Sequence, residues 1–130
     1  MQLNEYQQKA MTTCMESCDN YSYMMLNLVG EVGELASKVA KDIRKSEASI
    51  YANRLILCKE NFDEELLSEC KQRKLQELKL EAGDILWQLS GLCHVMGWTL
   101  EDVAQANLDK LAARKQAGTI DGNGDGIYNR

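Results

Sequence analysis

The chain has 130 residues, 45% of them hydrophobic and 27% charged, which is the composition of one soluble globular domain. Its formal charge of −5 leaves no basic face for a nucleic acid. No apolar run approaches the roughly 18 to 20 residues that cross a bilayer, so neither partner is expected. No proline, one phenylalanine, and five cysteines without a C-x-x-C argue against a sheet-rich fold and against a zinc site.

Residues 3 to about 18 place Leu3, Tyr6, Ala10 and Cys14 at helical spacing, which predicts a first amphipathic helix. A second helix is expected over about 23–44, with Leu28, Val32, Leu35, Val39 and Ile43 as its apolar stripe. Residues 45–70 read as an insertion, helical in part, whose apolar residues form no single stripe. A third helix is expected over about 71–96, carrying Leu75, Leu78, Ala82, Ile85, Leu86, Leu89 and Cys93, with Gly97 as its left-handed terminator. Thr99 and Asp102 form a capping-box pattern for a fourth helix, with Val103, Ala104, Leu108 and Leu111 on its apolar side and Gly118 closing it. The expected architecture is all-α: an antiparallel bundle of about four core helices plus a helical insertion, with a main domain over 1–117 and a glycine-rich tail over 118–130.

Two acidic pairs stand out. Glu31 and Glu34 fall on the second helix, Glu81 and Asp84 on the third, each at i, i+3, so each pair shares one side of its helix at roughly 5 to 6 Å between Cβ atoms. One reading makes them solvated helix-face acids. The other packs the two helices antiparallel, turns the pairs inward, and joins four carboxylates into a cluster that needs a hard cation such as Mg2+, with Mn2+ as a substitute. Gly30, Gly33 and Gly83 beside the pairs favour the second reading, because a mid-helix glycine costs about 1 kcal/mol unless close approach or a ligand offsets it. On the fourth helix Asn107, Lys110 and Arg114 share a face, either as an exposed ion-pairing surface or as groups for a metal-bound phosphate.

With these residues in view, the chain resembles the MazG-like all-α nucleoside triphosphate pyrophosphohydrolases. The resemblance rests on "EVGELASKVAK" (31–41), "LEAGDILWQLSGLCHVMGWTLEDVAQANLDKLAARKQAGTI" (80–120) and "GNGD" (122–125), a little over half the chain. It implies Mg2+-dependent hydrolysis of a (d)NTP to (d)NMP and pyrophosphate, as nucleotide-pool sanitation in the cytoplasm, by a homodimer or homotetramer of helical subunits. It also implies that Glu31, Glu34, Glu81 and Asp84 hold the metal, with Glu34 named by position as a general base. Asn107, Lys110 and Arg114 would then lie near metal and phosphates, the two cations neutralising the leaving pyrophosphate. Two alternatives are carried: a helical nucleotide- or partner-binding module without turnover, and a relative acting on a modified nucleotide or on phosphoribosyl-ATP.

The chain departs from the family pattern in the 46 residues that separate Glu34 from Glu81. For the base, Trp87 and Gln88 are candidates, with Tyr6 and Trp98 beside them; an aromatic ring can stack and an amide can read an edge, but packing is the competing reading for the rings. The tail "DGNGDG" opens like a calcium loop. That motif needs a bidentate Glu at its twelfth position, residue 132, past the last residue of the sequence. It is read instead as an arm whose backbone N–H groups, with Asp125, approach the phosphates. All five cysteines are expected as reduced thiols, because no basic segment followed by an apolar core marks the first residues for export.

Overall fold

The computed structural model describes residues 1–58 and 63–120. Four helices dominate: α1 (Leu3–Met11), α2 (Tyr21–Arg44), α3 (Glu64–Val95) and α4 (Leu100–Gln116), with a short 3₁₀ turn at Glu16–Cys18. Between α2 and α3 lies an antiparallel hairpin of β1 (Ala48–Tyr51) and β2 (Arg54–Leu57), pairing Ala48 with Leu57 and Tyr51 with Arg54. The fold is all-α, as the composition predicts, with this hairpin as its small sheet.

Most helix ends follow from local chemistry. Asn20 accepts from the Tyr23 amide at 2.8 Å, Asp63 from Leu66 at 2.9 Å and Thr99 from Asp102 at 3.1 Å, so each caps the helix it precedes. Gly97 stops α3 at φ 75°. The first helix ends at Met11 rather than near 18. The Thr12 and Thr13 hydroxyls donate back to the Lys9 and Ala10 carbonyls at 2.6 and 2.7 Å, and so compete with helix continuation.

The insertion is a correction. Residues 48–57 form a hairpin, not helix, and α3 starts at Glu64 instead of 71. The hairpin turns on Ala52 and Asn53, both at positive φ (49° and 61°), the two-residue turn whose twist matches paired strands. Asn53 suits it; Ala52 hides it, because an Ala-Asn pair is not a turn signal. Beneath the hairpin, Ala48, Leu57 and Cys58 pack on Leu67, Cys70 and Leu78 of α3. Cys58 and Cys70 are joined as a disulfide, which overturns the expectation of five reduced thiols. Lys74 ties the same end together, donating to Asp42 of α2 at 2.8 Å and to Glu47 at 3.3 Å.

The main pairing is α2 against α3. Contacts run from Met24 with Gly91, through Asn27 with Gln88 and Lys38 with Glu81, to Asp42 with Lys74. Numbers rise on one helix as they fall on the other, so the two are antiparallel. At Gly91 a Cβ would collide with the thioether of fully buried Met24. Among the described residues close packing does not explain the glycines beside the acids: a Cβ at Gly33 or Gly83 would meet none of them within 4 Å, and at Gly30 only Asn27 Oδ1 at 3.5 Å.

The expected stripes are only half covered. Leu28, Leu35, Val39, Leu78, Ile85 and Leu89 are half-buried, and Cys93 is buried; Val32, Ile43, Leu75, Ala82, Leu86 and Leu108 are exposed in the single chain. Helices α1 and α4 join through Gln7, whose amide donates to the Trp98 carbonyl at 3.0 Å and accepts from the Leu100 amide at 2.9 Å.

Candidate metal centre

The antiparallel pairing of α2 and α3 brings Glu31, Glu34 and Glu81 into one group, with a carboxylate oxygen of each within 4.8 Å of the others. Asp84, one turn beyond Glu81, acts on Glu31 electrostatically but falls outside this group. Burial, then the charges of Glu34, Asp84 and Glu81, push the Glu31 carboxyl above its ordinary range, against the lowering effect of its bond from Asn27. Two oxygens are the sharpest feature. Glu31 Oε2 and Glu81 Oε2 are buried without a hydrogen-bond partner among the described residues, a costly arrangement for carboxylates unless a cation completes it. An all-oxygen, all-carboxylate donor set suits a hard divalent ion such as Mg2+ or Mn2+.

Two groups at this site escaped the sequence reading. Asn27, one turn before Glu31, donates to Glu31 Oε1 at 3.3 Å and to Gln88 Oε1 at 2.8 Å, which fixes the orientation of the Glu31 carboxylate. Lys38, one turn after Glu34, meets Glu81 Oε1 at 2.7 Å. Both spacings from the acids were visible in the chain; that α3 supplies the partners was not.

The remaining candidates are placed as follows. The Trp87 indole N–H donates to the Ala10 carbonyl at 3.1 Å and the Thr13 hydroxyl at 2.9 Å, holding α1 to α3. Gln88 is buried with its amide engaged by Asn27 and by the Met24 sulfur. The Tyr6 hydroxyl lies near enough to Asp84 that burial and that charge push its pKa up. On α4, Asn107 is exposed while Lys110 and Arg114 are half-buried. Asp125 and the rest of the tail from 121 lie outside the described residues.

The carboxylate-lined helix pair agrees with what comparison with known proteins finds. Residues 19–119 match the MazG nucleotide pyrophosphohydrolase domain, and the chain belongs to that family. It is similar to the "Gene 37 protein" of Mycobacterium phage L5, at 34% identity over 110 residues, covering 85% of this chain and 79% of the phage protein. No solved structure matches.

Proposed function

We propose that this protein is a divalent-metal-dependent nucleoside triphosphate pyrophosphohydrolase acting on (d)NTPs, with Mg2+ as its ion and Mn2+ as a substitute. The observation that carries the reading is the pair of buried oxygens, Glu31 Oε2 and Glu81 Oε2, unpartnered among the described residues and within a three-carboxylate group. Glu31, Glu34 and Glu81 would hold the ion, with Asp84 beside them. When bound, it supplies charge neutralisation for the phosphates and an acidified water.

The chain's own groups do the rest. Glu34 is exposed and offers one oxygen to the ion, so its other oxygen is free to orient a water and take its proton as that water attacks the α-phosphorus and the bond to the pyrophosphate breaks. Asn27 keeps Glu31 turned toward the ion. Lys110 and Arg114, with Asn107, neutralise and hold the departing pyrophosphate. Tyr6 and the ring of Trp87 are the aromatic groups offered to the base.

Exposed Leu26, Val29 and Val32 on one side of α2 support assembly as a homodimer or homotetramer. The test is pyrophosphate release from a panel of (d)NTPs with Mg2+ and with EDTA. Turnover should vanish in EDTA and fall by at least about 100-fold in Glu34→Gln and Asp84→Asn with helicity kept. Full activity in both variants would remove the site assignment.

A further inference from the structure

The acidic group already faces a cation of its own. Lys38 projects from α2 one turn past Glu34, and its ammonium lies 2.7 Å from Glu81 Oε1. The other oxygen of the same carboxylate is buried and has no partner among the described residues, and Glu81 as a residue is only 9% exposed. A divalent ion seated among Glu31, Glu34 and Glu81 therefore needs a carboxylate that a positive charge already holds.

The molecule contains a second lysine that shows what a permanent bridge looks like. Lys74 is clamped between Asp42 at 2.8 Å and Glu47 at 3.3 Å, with only 13% of its side chain exposed. Lys38 is different, because 42% of its side chain is exposed. It reaches the site from solvent on a flexible stem, so its head group can leave without unpacking anything. Glu77 and Glu34 also act on it electrostatically and would keep a displaced ammonium near the site.

We propose that Lys38 is a displaceable counter-ion of the metal centre: it neutralises Glu81 in the metal-free protein, yields that carboxylate to an incoming divalent ion, and thereby sets the ion concentration at which the site fills. The inference rests on the metal reading given above. It makes a prediction of sign. A lysine that merely supports the site should weaken ion binding when removed, whereas a competitor should strengthen it.

The measurement is Mn2+ binding to the full-length metal-free protein, followed by the electron paramagnetic resonance of free Mn2+ at fixed pH and salt. Lys38→Met should bind Mn2+ roughly three- to tenfold more tightly than the unaltered chain, from loss of one nearby positive charge in a partly hydrated site. Lys38→Arg keeps the ion pair and should bind with equal or lower affinity. Unchanged or weaker binding in Lys38→Met, with helicity retained, would overturn the proposal, as would tighter binding in Lys38→Arg. Should Lys38→Met fail to fold, Lys38→Gln makes the same comparison. Glu81→Gln separates the two readings. If it leaves Mn2+ binding untouched, the metal centre itself is misassigned; if it abolishes binding while Lys38→Met fails to tighten it, only the counter-ion role falls.

Discussion

Glu31 concentrates the electrostatic conflict of this molecule. Its carboxyl is pushed above the ordinary value of 4.5, first by burial and then by Glu34, Asp84 and Glu81. A carboxyl with a raised folded pKa favours the fold while protonated, and that contribution is lost as pH rises through the raised value. The metal-free protein should therefore lose stability as pH climbs from 4.5 toward neutrality, and Glu31→Gln should flatten that loss. Melting temperatures of both chains in EDTA across this range would check it. Excess Mg2+ should flatten the curve of the unaltered chain as well, since an ion answers the repulsion that protonation otherwise relieves. A parallel decline in Glu31→Gln would place the conflict elsewhere. Glu31, Glu34 and Glu81 were legible as a candidate group at this scale because i, i+3 spacing fixes which residues share a helix face, whereas Asp84, expected with them by the same spacing, falls outside that group. Their helpers were not: Asn27 and Lys38 become site residues only through Gln88 and Glu81 on the opposite helix.

The elements show where local pattern is enough and where it fails. Helices α2, α4 and the part of α3 after residue 71 are written in apolar periodicity, with Gly97 and Thr99 as readable end signals, whereas the Asp63 cap puts the start of α3 at Glu64 and not at 71. The seam between α2 and α3 is not, because Gly91 lies among residues whose spacing marks them only as core. Gly91→Ala should cost up to about 1 to 3 kcal/mol, since the thioether end of fully buried Met24 must shift to admit the added methyl. Urea unfolding would read the loss. At the hairpin the sign reverses. Ala52 holds φ 49°, so Ala52→Gly should stabilise the turn by up to about 1 kcal/mol. A lower unfolding midpoint in that variant would refute this account of the turn. The hairpin stayed hidden because its apolar residues are buried only at one end, at Ala48 and Leu57, so neither the period-2 nor the period-3.6 pattern dominates. The disulfide was equally unreadable, since five cysteines do not declare which two meet.

Across the whole molecule, a single chain leaves unusual amounts of apolar surface bare. Leu26, Val29 and Leu80 are 73%, 69% and 61% exposed, and Gly33 and Gly83 open on empty space nearby. A surface of this kind beside a proposed active site points to a second copy. Light scattering should report a mass that is a multiple of 14.7 kDa, and Val29→Asp should shift it toward the single chain. A monomer in the unaltered protein would leave the bare face of α2 without an explanation. Leu26, Val29 and Leu80 lie outside the stripes expected as core, whereas Val32, Ile43, Leu75, Ala82 and Leu86 lie within them and are exposed as well; spacing marks apolar positions but does not say what covers them.

The bond between Cys58 and Cys70 has a topological result. It closes the stretch between these cysteines into a covalent ring, fastening the end of β2 to the second turn of α3. A single peptide cleavage inside that ring would not divide the protein. The two fragments, one carrying Glu31 and Glu34 and the other Glu81 and Asp84, would stay tethered at the base of the helix pair that joins them. Nicked material would migrate as one species until a thiol reductant was added, and then as two. The halves of the acidic centre could thus be held as separate polypeptides in one molecule, each open to its own labelling or substitution.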